Sequence, residues 1–311
     1  MTTRPLPARG EPALPPWIRE KKLRLADLHE VKAQMRRGGL STVCEEARCP
    51  NRTECFERKT ATFLICGDVC TRACGFCHIT SGRPALLNPD EPRQVVAATR
   101  ALGLAHVVVT SVDRDDLADG GAGHWVQVVR ALKEDDPART VEVLTPDFLG
   151  LASSIDAVAG AGPDVYNHNV ETVPRLYATV RSRSDFRRSV DLLARVKSRH
   201  PAMTTKSGLM LGLGETDPEV LEVFGALREA GVDVVTVGQY LRPGGWNLPV
   251  VEYATPDRFA ALREAGEGMG FRYVFSGPFV RSSYRAEEAL AMSGGNPPGF
   301  GFPPSPPPQP R

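Results

Sequence analysis

From about residue 60 to residue 275 the chain alternates short apolar segments with longer amphipathic ones, and this pattern constrains the fold most strongly. The longer segments repeat their apolar residues at helical spacing, whereas the short ones have the length of buried strands. Such alternation indicates a parallel sheet joined by right-handed crossovers. The predicted strands are 62–65, 106–112, 140–144, 164–170, 204–213, 232–241 and 273–275. The predicted helices are 90–102, 124–132, 151–159, 185–198, 218–230 and 256–269.

About six or seven such units predict a barrel, complete or partial. A doubly wound open sheet is the main alternative, and alternation alone does not separate the two architectures. Outside this region a helix is predicted over 23–37. The first residues, to about residue 20, are rich in proline and the tail from residue 293 is dense in proline and glycine, so both are expected to be irregular.

Six of the seven cysteines fall into two triplets with different spacings. A [4Fe–4S] cluster has four irons that are usually bound by thiolates, so a triplet leaves one iron for another ligand. Two triplets therefore predict two clusters, each with one unusual ligand. The first triplet (C-x4-C-x5-C) is Cys44, Cys49 and Cys55, and the second (C-x3-C-x2-C) is Cys70, Cys74 and Cys77.

The second triplet directly follows the first predicted strand of the alternating region. Barrel enzymes carry their chemistry on loops at the C-terminal ends of strands, so this placement favours a functional site. Structural zinc is the alternative, but it favours four ligands, often in paired C-x2-C units, and no partner pair is evident here. Cys66 repeats the spacing to Cys70, yet at the end of an apolar strand it is predicted to be a buried structural thiol.

The overall composition argues against several classes of partner. Hydrophobic residues make up 41% and charged residues 24% of the chain, and the formal net charge is +1. These values are typical of soluble globular proteins and give no reason to expect nucleic acid or a membrane as partner. No apolar run reaches the length of a membrane span, and the N-terminus lacks the apolar core of a secretory signal. We therefore expect a cytoplasmic location, where clustered cysteines are metal ligands more often than disulfides.

The second triplet, with Phe76 directly before its last cysteine, resembles the signature of the radical SAM superfamily. The resemblance implies that the three cysteines hold a [4Fe–4S] cluster and that S-adenosyl-L-methionine (SAM) chelates the fourth iron. It also implies reductive cleavage of SAM to a 5′-deoxyadenosyl radical, with Phe76 in the cofactor-binding loop. The fold expected from this resemblance is an α/β partial (β/α)6 TIM-type barrel of the radical SAM kind, with N- and C-terminal extensions.

The first triplet narrows the match, because its segment V-C-E-E-A-R-C-P-N-R-T-E-C-F resembles the auxiliary-cluster motif of lipoyl synthases. Further similar stretches lie at 16–18 (PWI), 114–117 (RDDL), 119–121 (DGG), 168–172 (HNVET), 211–215 (LGLGE), 239–243 (QYLRP) and 281–284 (RSSY). The resemblance implies four parts. These are an extension over 1–59 with the first triplet, the barrel over 60–281, a segment over 282–292 with a serine ligand, and a disordered tail over 293–311.

The resemblance also assigns residues to the site. The auxiliary [4Fe–4S] cluster would be bound by the first triplet and Ser283, whose oxygen is a harder and weaker ligand for this iron than a thiolate. A weak ligand suits a cluster that must be taken apart, so Ser283 is also assigned a catalytic role. Asn169 and Glu171 would contact SAM, and Lys206 would face the site. The alternatives are a hydroxyl that caps backbone groups, polar residues that satisfy a loop, and a solvated lysine at a strand terminus.

The implied reaction is that of a sulfurtransferase. Two sulfur atoms enter C6 and C8 of an octanoyl chain on a carrier lysine, the auxiliary cluster donates them, and two SAM are cleaved to 5′-deoxyadenosine and methionine. These carbons have no acidic protons, so side-chain acid–base catalysis does not activate them and a cofactor must. The implied partners are octanoylated carrier domains of 2-oxoacid dehydrogenase acyltransferase subunits and of the glycine-cleavage H protein. A ferredoxin- or flavodoxin-type electron donor and an iron–sulfur carrier protein are also implied.

Two rival functions remain open from the sequence. A different sulfur-inserting enzyme, similar to biotin synthase, would share the second triplet, although the spacing of the first triplet argues against it. A non-catalytic zinc or iron–sulfur binding module would use the cysteines without binding SAM. Metal content and SAM binding separate that module from the enzyme.

Overall fold

The computed structural model describes residues 11–19, 41–42 and 62–283. Several expectations lie outside these ranges, namely the first cysteine triplet, the helix over 23–37 and the tail over 293–311. Within the described ranges, no helix is long and apolar enough to cross a membrane.

The centre of the fold is an eight-stranded sheet in which seven strands are parallel. Its first strand, β1, is antiparallel to β2 and pairs Ser41 with Leu64. The strands of this sheet are β1 (Ser41–Thr42), β2 (Thr62–Ile65), β5 (His106–Ser111), β6 (Thr140–Leu144), β7 (Val165–Asn167), β8 (Thr204–Leu211), β9 (Val234–Gln239) and β10 (Tyr273–Gly277). A separate parallel pair, β3 (Val69–Cys70) and β4 (Thr80–Ser81), flanks the loop of the second triplet.

The parallel strands follow one another in the sheet in the same order as in the chain. A doubly wound sheet reverses its strand order at a switch point, so this topology rules out that alternative. Six strand–helix units followed by β10 make a partial (β/α)6 barrel, as expected from the sequence. The helices are α1 (Pro16–Arg19), α2 (Glu91–Leu102), α3 (Ala122–Asp135), α4 (Ala152–Gly160), α5 (Tyr177–Val180), α6 (Phe186–Arg199), α7 (Asp217–Glu229) and α8 (Pro256–Gly268).

Local signals in the sequence fix several helix ends. Helix α7 begins with a capping box between Thr216 and Glu219, which satisfies backbone donors that the first turn leaves unpaired. Helix α6 is capped by Asp185, whose carboxylate accepts a hydrogen bond from the Arg188 amide. Helix α2 ends at Gly103 in the left-handed conformation that favours glycine.

The predicted strand over 164–170 is the clearest difference in boundaries, because β7 ends at Asn167. Beyond it the chain leaves the ladder, and Glu171 returns through a single bridge to Leu209 on β8. Glu171 adopts a φ of 65°, a left-handed conformation that is rare for a residue with a side chain. The sequence pattern predicts too long a strand because Val170 is apolar and buried although it lies beyond the end of β7.

The core lies between the sheet and its helices and includes Trp125, Phe63 and Phe224, which are fully buried. The barrel interior also holds charge. Lys206 Nζ lies 3.1 Å and 3.2 Å from the two carboxylate oxygens of Glu142, and both side chains are buried. Asn167 donates to the same carboxylate at 3.0 Å. These groups neutralise and hydrogen-bond one another, as buried polar groups must.

Candidate active site

A cavity of about 530 Å³ opens at the C-terminal ends of the parallel strands. Its walls come from the loop of the second triplet, from the strand ends of β5 to β9 and from the last described residues of the chain. Seven of the residues assigned from the sequence line it, and they are Cys70, Cys74, Phe76, Cys77, Asn169, Glu171 and Ser283. The structure therefore brings together residues that lie more than 200 positions apart in the chain.

The three thiols of the second triplet are free and partly buried. Burial raises the pKa of each thiol to about 12, so each holds its proton at neutral pH until a metal binds. Metal binding by this loop must therefore release protons. The loop therefore suits a metal centre that binds several thiolates at once.

Among the described residues, no three Cys, His, Asp or Glu side chains converge closely enough to hold a single metal ion. Zinc requires all of its sulfur ligands within about 2.3 Å of one point. The thiolates of a [4Fe–4S] cluster instead bind separate irons and stand apart. The three free thiols at the cavity wall are therefore the candidate ligands of a metal centre at this loop.

The Cys70 sulfur receives the most hydrogen bonds that the structure shows at this loop. The backbone amides of Arg72 and Asp113 donate hydrogen bonds to this sulfur, each with a nitrogen–sulfur distance of 3.4 Å. The Cys70 thiol in turn lies 3.7 Å from a carboxylate oxygen of Asp113. Burial raises the pKa of this carboxyl group, and the nearby charge of Arg72 only partly opposes the rise. Hydrogen bonds to a ligating sulfur are one of the levers that set the potential of a cluster.

Arg72, between the first two cysteines of the triplet, ties the loop to the barrel. Its side chain is only 2% exposed and forms a bidentate pair with Asp115, both contacts being 2.8 Å. It also reaches Asp147 at 2.7 Å and Asp113 at 3.3 Å. Burial alone would raise the pKa of Asp147, but the hydrogen bond and charge of Arg72 lower it to about 2. One buried cation thus joins the loop to the ends of β5 and β6.

The opposite side of the loop is held by neutral contacts. Asn247 donates to the carbonyls of Gly75 and Cys77 at 3.2 Å and 2.7 Å. The Leu248 amide also donates to the Gly75 carbonyl, at 2.9 Å. A Cβ on residue 75 would lie 2.7 Å from the end of the Leu248 side chain, which would then have to shift. His78 stacks on Trp246 with ring centroids 4.8 Å apart.

Cys66 is buried, as predicted, and does not line the cavity. It adopts a φ of 65°, and its amide donates to Glu91 at 2.8 Å. Glu91 also contacts His124 at 2.6 Å, and Arg114 donates to the Cys66 carbonyl at 3.1 Å. Burial raises the pKa of the Cys66 thiol. Its contacts are those of a structural residue that sets the direction in which the chain leaves β2.

Asn169 and Glu171 lie together in the cavity wall. The Asn169 amide donates to Glu171 at 3.0 Å. Burial raises the pKa of Glu171, while Arg181 and the Asn169 hydrogen bond oppose the rise. Arg181 follows α5, lines the same cavity and donates to the Asn169 carbonyl at 2.8 Å. An amide, a carboxyl group and a buried guanidinium therefore face one space, which can complement the amine, carboxylate and hydroxyl groups of a SAM-sized ligand.

The remaining assigned residues have distinct places. Lys206 does not line the cavity, and its buried pair with Glu142 shows that the solvated-lysine alternative is wrong. Phe76 lines the cavity and packs against the small apolar cluster that contains Val180 and Tyr240. Ser283 lies in the wall, and its neighbour Ser282 contacts Asn169.

Two solved structures share the fold of this chain. SuiB of Streptococcus suis, bound to S-adenosylmethionine, matches with a TM-score of 0.52 and 13% identity over 70% of this chain. The [FeFe]-hydrogenase maturase HydG of Carboxydothermus hydrogenoformans matches with a TM-score of 0.52 and 15% identity over 70% of this chain. The chain spans about half the length of those proteins, 50% and 53% respectively. At such identity the likeness concerns the fold.

The sequence of the barrel matches a known protein family. A model of the Radical SAM superfamily matches residues 64–227, which include the second triplet. With the partial barrel and the three-thiol loop at its mouth, this match defines a radical SAM enzyme, a class that uses a [4Fe–4S] cluster and SAM.

Two curated relatives give the narrower family. Lipoyl synthases of Caldanaerobacter subterraneus subsp. tengcongensis and Anaeromyxobacter sp. are 51% and 53% identical to this chain over 281 and 276 residues. The alignments cover 90% and 88% of this chain and 98% and 94% of those proteins. The chain belongs to the lipoyl synthase family and is a sulfur-inserting radical SAM enzyme.

Sequence reasoning missed several residues of this site, among them Arg72, Asp113, Arg181 and Ser282. Charged side chains on loops look like ordinary solvated residues in a sequence. The one available signal was position, because Asp113 and Asp147 each follow a predicted strand, at the end where barrel enzymes place their sites.

Proposed function

We propose that this enzyme inserts two sulfur atoms at C6 and C8 of an octanoyl chain attached to a carrier lysine, and that an auxiliary [4Fe–4S] cluster donates the sulfur. The observation that carries the proposal is the position of Ser283, in the wall of the cavity that the second-triplet thiols also line. A ligand of the auxiliary cluster at that position would bring the sulfur source next to the site of SAM cleavage.

Cys70, Cys74 and Cys77 would hold the first cluster, which fits the free thiols and the donors around them. When bound, this cluster and SAM supply the hydrogen abstraction at both carbons, with two SAM converted to 5′-deoxyadenosine and methionine. Asn169 and Glu171 would bind the polar groups of SAM. The guanidinium of Arg181 adds a fixed positive charge to the same wall, which favours an anionic group there.

Cys44, Cys49, Cys55 and Ser283 would bind the auxiliary cluster. Of these, only Ser283 is within the described residues. Its oxygen is a weaker ligand than a fourth thiolate, so the iron that it holds would be released most easily. Ser283 would thus permit the loss of iron that must accompany the transfer of sulfide from the cluster. On this basis 1–59 would be the auxiliary-cluster extension, 60–281 the barrel, 282–292 the serine-bearing segment and 293–311 a separate tail.

Apolar surface in the cavity suits an octanoyl chain. Leu64, Val112 and Met210 line the cavity between the polar groups named above. The carrier would be an octanoylated domain of a 2-oxoacid dehydrogenase acyltransferase subunit or the glycine-cleavage H protein. A ferredoxin- or flavodoxin-type protein would supply electrons, and an iron–sulfur carrier protein would rebuild the consumed auxiliary cluster.

The test is an anaerobic incubation with SAM, a reductant and an octanoyl-lysyl peptide, followed by mass spectrometry of the peptide. The wild-type protein should form a dithiolated peptide together with 5′-deoxyadenosine. Cys55→Ser should form 5′-deoxyadenosine without sulfur on the peptide, whereas Cys74→Ser should form neither product. Sulfur transfer by Cys55→Ser at the wild-type rate would contradict the assignment of the auxiliary cluster as the donor.

A further inference from the structure

The last described residues of the chain enter the mouth of the barrel over two glycines. Gly238 on β9 lies directly against the Val280 carbonyl, and a Cβ at residue 238 would overlap that oxygen. On β8, the Thr236 hydroxyl would overlap a Cβ at Gly208, and that Cβ would also lie 3.0 Å from both Ser282 Oγ and Asn169 Oδ1. Gly238 therefore allows the backbone of Val280 to approach β9, and Gly208 leaves room for the side chains of Ser282 and Asn169. We call residues 280–283 the C-terminal plug.

Ser282 makes a hydrogen-bonding contact between this plug and the wall that carries Asn169 and Glu171. Its hydroxyl oxygen lies 2.6 Å from Asn169 Nδ2 and 2.9 Å from Asn169 Oδ1, so it accepts from the amide and can donate to the carbonyl oxygen. The same Nδ2 donates to Glu171 at 3.0 Å. Ser282 and Glu171 thus share one side-chain amide, and their positions depend on each other.

The backbone of Glu171 is fixed independently of this contact. Its amide donates to the Gly208 carbonyl and its carbonyl accepts from the Met210 amide, both at 2.9 Å. These bonds to β8 hold the residue at its φ of 65°. The directions of the Asn169 and Glu171 side chains depend on side-chain contacts. From the plug these include the hydrogen bond of Ser282 to Asn169 and the positive charge of Arg281 near Glu171.

We propose that Ser282 is a positioning residue that couples SAM binding to the seating of the C-terminal plug, and therefore to the position of Ser283. The proposal rests on the proposed function insofar as Asn169 and Glu171 contact SAM. A seated plug holds the amide and the carboxyl group in the arrangement that SAM meets. Because coupling between two equilibria is reciprocal, SAM must then favour the seated plug to the same extent. Ser282 would thus link the cofactor site to the ligand of the auxiliary cluster.

The first experiment measures SAM affinity by calorimetry, without reductant or octanoyl substrate, on protein that holds its iron–sulfur clusters. Loss of one hydrogen bond of about 1 kcal/mol predicts an affinity of Ser282→Ala about five-fold weaker than wild type. Ser276→Ala is the matched control, because that hydroxyl bonds the Phe259 carbonyl away from the cavity.

The second experiment measures hydrogen exchange of the plug with and without SAM. In the wild type, SAM should slow exchange at residues 280–283, and in Ser282→Ala this protection should shrink by the same factor as the affinity. Gly238→Ala should unseat the plug through its clash with the Val280 carbonyl, and should therefore weaken SAM binding although the Ser282 side chain is unchanged. If Ser282 only stabilised the plug, Ser282→Ala would speed hydrogen exchange at residues 280–283 without SAM, and SAM would still slow it as much as in the wild type. That result would contradict the proposal.

Two outcomes separate the inference from the proposed function. If Ser282→Ala binds SAM as tightly as the wild type and SAM protects its plug equally, the coupling is wrong and the proposed function stands. If the wild-type protein with both clusters binds no SAM, the proposed function fails and the coupling fails with it.

Discussion

The buried cation Arg72 gives the most quantitative prediction. Arg72→Met keeps most of the volume of the side chain and removes its charge. Three carboxylates then lose a partner, including Asp147, whose side chain is completely buried. Removing one partner from a buried ion pair typically costs about 3–5 kcal/mol, because the other charge remains buried.

Arg188 moderates this cost, since it lies 3.1 Å from the second carboxylate oxygen of Asp147 and stays in place. We therefore expect Arg72→Met to lose about 3 kcal/mol of the free energy of unfolding, at the lower end of that range. At about 2–4 °C per kcal/mol for a domain of this size, the melting temperature should fall by about 6–12 °C. The assay is denaturant unfolding followed by circular dichroism, with iron content measured in parallel.

Arg187→Met is the matched control. Arg187 pairs with Asp191 on the surface of α6, where the two side chains are 82% and 56% exposed. Exposed pairs contribute about 0–1 kcal/mol, so this variant should unfold nearly as the wild type does. Equal stability of the two variants would refute the view that Arg72 holds the cluster loop to the barrel.

Three further predictions concern single residues. Burial, together with the charge of Arg181, lowers the pKa of His168 to about 4 in the folded protein. As the pH falls, the imidazole therefore takes up its proton in the unfolded chain first. The contribution of His168 to the free energy of unfolding is complete above about pH 6.5 and declines as the pH falls toward 4. Between pH 7 and 5.5 this residue should cost about 1 kcal/mol in urea unfolding, and His168→Gln should lack that part of the pH dependence; identical profiles would contradict it. Cys74→Ala should lose the visible absorption of one cluster, whereas Cys66→Ala should keep both; the reverse would overturn our ligand assignment. Ser283→Cys should retain iron but slow sulfur transfer relative to SAM cleavage, and an unchanged ratio of the two products would count against a gating serine.

The architecture could be predicted from the sequence because each strand–helix unit carries its own local signal. Six units have clear apolar periods, and right-handed crossovers between them predict parallel strands. The order of the strands in the sheet, which separates a barrel from a doubly wound sheet, came from the structure. Strand ends were less predictable, since they depend on contacts with neighbouring strands. The sequence from His168 to Glu171 looks like a continuation of β7. In the structure, Glu171 instead adopts a left-handed conformation and forms a bridge to Leu209 on β8.

The site was predictable where its residues lie close together in the chain. The spacing of the second triplet predicts a cluster loop without knowledge of the fold. The contacts of Arg72 join residues 43 and 75 positions apart, and the contact of Ser282 with Asn169 spans 113 positions, so no local pattern contains them. Lys206 shows a further limit. Its strand is almost entirely buried on both faces, so alternation does not tell which side chains face the barrel interior.

The most direct test of the central claim follows the sulfur itself. The protein is reconstituted with heavy-isotope sulfide, freed of excess sulfide and incubated anaerobically with SAM, reductant and an octanoylated carrier domain in ordinary buffer. If the auxiliary cluster is the donor, mass spectrometry should show both sulfur atoms of the first product formed to be heavy, with no more than one product per protein. Product that carries light sulfur, or repeated turnover with no loss of cluster, would contradict the claim.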